Sequence, residues 1–149
     1  FTIPFKPDES EVKEVVISEK TESKEIDGTA TILIAEDDNI NYLLLEKIMK
    51  LKHYNIIRAK NGEEAVLMAE KNKGIDLILM DVKMPVLSGY DATLAIRKKN
   101  KNIPIIAQTA YSTLEEVNDI MKAGFTDYIS KPINKENLFL LLGKHLTAQ

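Results

Sequence analysis

Cysteine is absent from the 149 residues, which excludes a disulfide framework and any zinc site built on thiolates. That absence fits a cytoplasmic setting. Histidine occurs only at His53 and His145, each isolated, so neither is read as a metal ligand or a phosphohistidine. No apolar run approaches the ~20 residues that a membrane-spanning helix needs, and no secretory signal pattern opens the chain. No membrane contact is expected of this fragment. A concentrated basic face is missing as well. Residues 1–28 hold eight acids and four lysines, a net of −4, while residues 29–149 hold fifteen acids and sixteen bases, a net of +1. Nucleic-acid binders need clustered positive charge, so no direct nucleic-acid contact is expected.

What is present describes one folding unit with a leader. Hydrophobic residues make up 44% of the chain, and the length suits a single domain with its own core. Residues 1–7 (Phe-Thr-Ile-Pro-Phe-Lys-Pro) alternate apolar and polar like the end of a strand. Residues 8–28 are dominated by Glu, Lys and Ser and read as a flexible charged linker, with room for a short amphipathic helix near Glu11 to Ile17. The chain starts without Met in what reads as mid-strand, so it is expected to be a piece of something longer. Residues 29–149 form the domain.

In that domain strand and helix alternate. Strands are predicted over Thr31–Ala35, Asn55–Ala59, Ile75–Met80, Ile103–Ala107 and Thr126–Ile129. Helices are predicted over Asn39–Lys52, Gly62–Lys73, Ser88–Lys99, Thr113–Ala123 and Asn134–Leu146. Gly74, Pro104 and Gly124 punctuate the returns into strands. Asp38 or Asn39 suits the N-cap of the first helix. Thr113-Leu-Glu-Glu116 has the form of a capping box, with Thr113 or Ser112 as cap. The basic run Arg97 to Lys101 reads as a solvated helix end, where cations suit the dipole. Five β units alternating with five α units predict a parallel sheet covered on both faces, with right-handed crossovers.

Parallel strands bring their C-terminal ends to one edge of the sheet, where open α/β folds place their chemistry. That edge is expected to receive Glu36 and Asp37 after the first strand, Asp81 after the third, Thr109 after the fourth and Lys131 after the fifth. Three carboxylates near one point repel, and Lys131 supplies only one positive charge. A hard divalent cation with oxygen ligands restores the balance; Mg²⁺ commonly takes one or two carboxylates, waters and a phosphate oxygen. An exposed Asp, Mg²⁺, a Lys and a hydroxyl together suit one reaction, attack of the carboxylate on a phosphoryl group to give an aspartyl phosphate. Mg²⁺ and Lys131 would stabilise charge on the phosphoryl oxygens, and Thr109 could donate to the product.

The same residues carry a family resemblance. Ile32-Leu-Ile-Ala-Glu-Asp-Asp-Asn39 with Asn41, Leu79-Met-Asp-Val-Lys-Met-Pro85 with Gly89, Thr109-Ala110 and Lys131-Pro132 together resemble the response-regulator receiver domain of two-component signalling, over about residues 29–147. The resemblance implies a flavodoxin-like (βα)5 doubly wound sheet in strand order 2-1-3-4-5. It implies that Asp81 is the phosphoacceptor and that Asp37 ligates Mg²⁺ directly, with Glu36 acting directly or through water. Lys83 would lend the metal its backbone carbonyl. Val82, Lys83, Thr109, Ala110 and Lys131 would surround the phosphoryl group. Thr109 would be the switch hydroxyl, Tyr128 the aromatic whose rotamer reports phosphorylation, and Lys131–Pro132 a cis peptide. Coupling would run to the surface of the fourth helix, fifth strand and fifth helix.

The implied partner is the phosphohistidine domain of a histidine kinase or of a phosphotransfer protein. Whether phosphorylation pairs the domain with a second copy stays open. The domain itself would be a phosphoacceptor with at most weak autophosphatase activity. Residues 1–7 are similar to the last strand of the ATP-binding domain of sensor histidine kinases. That order, kinase strand then linker then receiver, is the order of hybrid histidine kinases. Asp38 departs from similar hybrid receivers, which often carry Asn there, and adds negative charge. Lys83 and Tyr111 occupy positions where the family tunes phosphoryl lifetime. The rival readings are a stand-alone response regulator, a docking module without phosphotransfer, and a phosphatase. The last would need an Asp two residues past Asp81, where Lys83 stands.

Overall fold

A computed structural model of the protein describes residues 30–146. The expected kinase-strand remnant at 1–7 and the expected charged linker at 8–28, including the stretch with room for a short helix, lie outside the described residues. Ten elements alternate: β1 Thr31–Ala35, α1 Asn39–Lys50, β2 Asn55–Ala59, α2 Gly62–Lys71, β3 Leu77–Asp81, α3 Gly89–Lys99, β4 Ile105–Thr109, α4 Leu114–Ala123, β5 Asp127–Ser130 and α5 Lys135–Leu146. The five strands are all parallel in the order β2-β1-β3-β4-β5. This is the doubly wound sheet and strand order the sequence implied.

The central strands are apolar on both faces because both faces are covered. Leu33, Ala35, Ile78, Met80, Ile105 and Ala107 meet Ala65 of α2, Ala92 and Ile96 of α3, and Ile120 and Ala123 of α4. On the other face Ile32, Ile34, Leu77, Leu79 and Ile106 meet Leu45, Ile48 and Met49 of α1 and Leu138 and Leu142 of α5. The alternation along each strand assigns its residues to these two layers.

Two strands, β3 and β4, start two residues later than the sequence predicted, and both have a local cause. Asp76 is tied to the start of β1 before β3 begins, its carboxylate accepting from the Thr31 N–H at 2.8 Å and its own N–H donating to the Thr31 carbonyl. Pro104 has no N–H to give to a ladder, and only its carbonyl is used, accepting from Ile78 at 2.9 Å. The shift moves the far ends too. Asp81 and Thr109 are the last residues of β3 and β4, within the ladder, and not the first residues after it.

The helix signals resolve in favour of one candidate each. Asp38 caps α1, accepting from Ile40 and Asn41 at 2.8 and 3.0 Å. Thr113 caps α4, accepting from Glu116 at 3.1 Å. Gly124 ends α4 in the left-handed region at φ 102°. Arg97 departs from the expected solvated helix end. Its guanidinium turns inward to the carbonyls of Gly124, Asn100 and Ile103 and the hydroxyl of Thr126. It therefore binds the end of α3 to the starts of β4 and β5.

Candidate phosphoacceptor and metal site

The C-terminal edge of β1 and β3 forms the site. β1 delivers Glu36 and Asp37, and β3 delivers Asp81, so that a carboxylate oxygen from each lies within 4.8 Å of the others. Glu36 is fully buried, Asp81 nearly so, and Asp37 exposed. Lys131, in the turn after β5, reaches across to donate to Asp81 Oδ2 at 2.9 Å and stands 3.7 Å from Glu36 Oε1. The Lys83 N–H donates to Asp81 Oδ1 at 3.1 Å. Both oxygens of Asp81 are thus held by donors. The Val82 N–H is engaged elsewhere, donating to the Gln108 carbonyl at 3.1 Å, and Ala110 is exposed. The Lys131–Pro132 peptide is cis, as the resemblance implied.

Burial and neighbouring charge together shift two of these groups. Burial, reinforced by repulsion from Asp81, pushes the Glu36 carboxyl up from 4.5 to about 7, against the opposing pull of Lys131. Burial alone would lower the Lys131 ammonium, but the hydrogen bond and charge of Asp81, with Glu36 and Asp37, outweigh it and the net shift is upward. Three carboxylates against one ammonium leave the cluster short of positive charge. Glu36 Oε1 is buried with no hydrogen-bond partner, an expensive state for a carboxylate oxygen. A hard cation would relieve both problems, and an all-oxygen donor set fits Mg²⁺.

Thr109 is fully buried and its hydroxyl faces the loop between β4 and α4. One proton has two acceptors there, the Tyr111 carbonyl at 2.6 Å and Glu116 Oε2 at 3.1 Å, while the Tyr111 N–H donates back at 3.1 Å. Glu116 also accepts from the Tyr90 hydroxyl of α3 at 2.7 Å; burial, reinforced by this bond, raises the Tyr90 phenol above its ordinary range. The capping box is therefore half-formed, because the Glu116 carboxylate serves Thr109 and Tyr90. Tyr128 is half-buried on β5 and packs on the same face as Ala107 and Tyr90. Tyr111 is exposed, with the Lys83 ammonium 5.3 Å from its ring centre, so the two side chains lie together.

Three contributors were missed in the sequence. Arg58 of β2 donates to the backbone of the acidic turn. Glu116 holds the Thr109 hydroxyl. On α1, Ile40, Leu43 and Leu44 are exposed, and Leu44 with Asn41, Gln108, Lys131, Pro132 and Ile133 lines a cleft next to the site. That last signal was readable, since α1 carries apolar residues at 40, 43, 44, 45, 48 and 49, more than one buried stripe requires.

Gln108, on the floor of this cleft, is fully buried and neither end of its amide has a partner. Replacing such a group by an apolar one of similar size removes the desolvation penalty, so Gln108→Leu is expected to raise stability by about 1–3 kcal/mol in urea unfolding. No gain would mean that the amide is satisfied in solution.

Residues 32–142 match the family model of the response regulator receiver domain. The chain is 37% identical over 123 residues to hybrid signal transduction histidine kinase I of Dictyostelium discoideum, a match covering 77% of this chain and 7% of that protein. The first curated relatives are far longer, and the chain spans 7%, 29% and 6% of their lengths. Among solved structures, the receiver domain of a Pseudomonas aeruginosa sensor histidine kinase, with a magnesium ion coordinated in its active site cleft, is 33% identical with a TM-score of 0.75. That match covers 80% of this chain and 98% of the other. The receiver domain of Saccharomyces cerevisiae Ssk1, solved in complex with the histidine phosphotransfer protein Ypd1, is 30% identical with a TM-score of 0.77, covering 81% and 91%. Among the described residues, no helix is long and apolar enough to cross a membrane.

Proposed function

The chain belongs to the response regulator receiver family, and on that basis we propose that it accepts a phosphoryl group from a phosphohistidine onto Asp81. The observation that carries this reading is the Asp81 carboxylate at the end of β3, gripped by Lys131 and clustered with Glu36 and Asp37. A carboxylate oxygen of Asp81 forms the new P–O bond as the P–N bond to the imidazole breaks and the electron pair leaves with the ring nitrogen. Glu36, Asp37 and Asp81, with the Lys83 carbonyl, are the residues that would hold Mg²⁺. The ion would supply charge neutralisation on the phosphoryl oxygens. Lys131, already on Asp81, follows the charge to the phosphoryl group. Thr109 then turns its hydroxyl from the β4–α4 loop towards the phosphate, and Tyr128 follows.

The donor is a phosphohistidine domain of a histidine kinase or phosphotransfer protein. The exposed apolar residues of α1 beside the site give such a domain an apolar surface to approach. The resemblance of the 1–7 sequence to a kinase segment, the charged sequence that follows it and the similarity to a hybrid kinase support a place within a hybrid sensor histidine kinase. Incubation with acetyl phosphate and Mg²⁺, read by intact mass, tests the chemistry. The expected result is a gain of about 80 Da, one phosphoryl group, lost in Asp81→Asn. No adduct on the wild type, or one that survives the substitution, would sink the reading.

The Lys83 ammonium lies 5.3 Å from the centre of the Tyr111 ring, and a bulky ring two residues past Thr109 would keep water from an acyl phosphate on Asp81. Tyr111→Ala is expected to shorten the half-life of the phosphorylated domain. An unchanged half-life removes that role.

A further inference from the structure

We infer that Arg58 is a positioning residue for the metal ligands, holding the backbone of Glu36 and Asp37 so that their carboxylates face Asp81. The inference rests on the reading of these three acids as the Mg²⁺ site. Arg58 lies on β2 opposite Ile34, and its side chain runs over the end of β1. Its Nε and Nη2 donate to the Glu36 carbonyl at 3.2 and 2.9 Å, and Nη2 reaches the Asp37 carbonyl at 3.4 Å. The Glu36 N–H is fixed from the same strand, donating to the Ala59 carbonyl at 3.0 Å. Both peptide groups that flank the Glu36 side chain are therefore anchored to β2. Those groups set where the two carboxylates point.

The clamp is itself supported. The guanidinium lies over the Tyr42 ring, 4.5 Å from its centre, a cation–π contact. The Tyr42 hydroxyl donates to Glu46 at 3.3 Å, which fixes the ring one helical turn along α1. Asp38 has a separate task, its Oδ1 capping α1.

Two explanations of Arg58 predict opposite signs. As a cation alone, it repels Mg²⁺, and its removal should tighten binding. As a clamp, its removal frees the acidic turn and should weaken binding. Titration of the 149-residue chain with Mg²⁺, followed by amide NMR, reads affinity and folding in one experiment. Arg58→Ala is expected to raise the dissociation constant about tenfold, the low end for groups that orient metal ligands from behind. Arg58→Lys keeps the charge without the planar fork and is expected to fall between. Unchanged or tighter binding in folded Arg58→Ala overturns the inference. If that variant fails to fold, wild-type affinity in Arg58→Lys overturns it instead. A wild type that shows no Mg²⁺ shifts at residues 36, 37 and 81 removes the metal site itself, and the Arg58 role with it.

Discussion

Gly89→Ala is expected to destabilise the domain by about 3 kcal/mol, the upper range for overpacking a fixed site, and to disturb Asp81 at the same time. A Cβ at position 89 would stand 2.2 Å from the Asp81 carbonyl oxygen and 2.8 Å from the Val82 Cα. Those are backbone atoms, so no side-chain rotation relieves the overlap. Either α3 moves off the end of β3, breaking the 3.0 Å bond from the Gly89 N–H to the Val82 carbonyl, or the acceptor strand end is pushed aside. Urea unfolding reads the first loss, and acetyl phosphate labelling of the remaining folded fraction reads the second. Gly143 is the matched control. Nothing lies within 4 Å of a Cβ there, and in the interior of α5 an alanine should add roughly 0.8 kcal/mol through helix propensity. If Gly89→Ala proved as well tolerated as Gly143→Ala, the close approach of α3 to β3 would not persist in solution.

The second large effect is on pH dependence without metal. Glu36 titrates near 4.5 when solvated and near 7 when folded. Below pH 4.5 it is protonated in both states and carries no penalty. Between 4.5 and 7 the unfolded chain releases its proton first, and folded stability falls. Above 7 the penalty is complete, about 3 kcal/mol at 1.36 kcal/mol for each pH unit. In EDTA, Glu36→Gln should therefore be more stable than wild type by about 3 kcal/mol at pH 8 and by about 1 kcal/mol at pH 5. Mg²⁺ should reverse the order at pH 8, because an ion held at the proposed site would bind only the folded form and would draw on the ionised carboxylate. Equal stabilities at pH 5 and pH 8 in EDTA would mean that Glu36 is solvated.

The sheet was legible because each central strand is an apolar run bounded by turn residues, and because parallel strands must send their ends to one edge. That logic placed Glu36, Asp37, Asp81 and Lys131 together before any coordinates, and the distances agree. What it missed shares a cause. Arg58, Arg97 and Glu116 are charged residues that each have a partner far along the chain, 22, 27 and 26 positions away. In the sequence each looks like a solvated side chain. Only the fold reveals that two arginines point at backbone carbonyls and that a glutamate faces a tyrosine and a threonine. The late starts of β3 and β4 have the same character, since Asp76 is held by a residue of β1 and Pro104 matters only once β3 is its neighbour.

The hydroxyl of Thr109 has a further consequence. It owns a single hydrogen, and at rest that hydrogen is claimed by a carbonyl and a carboxylate in the stretch from Tyr111 to Glu116. A phosphoryl oxygen on Asp81 would be a third claimant. The two states of the domain would then differ in the address of one hydrogen atom, and the loop that loses it must find other donors or move. Sensitivity of the switch would be set as much by how tightly Tyr111 and Glu116 hold that atom as by how strongly the phosphate draws it.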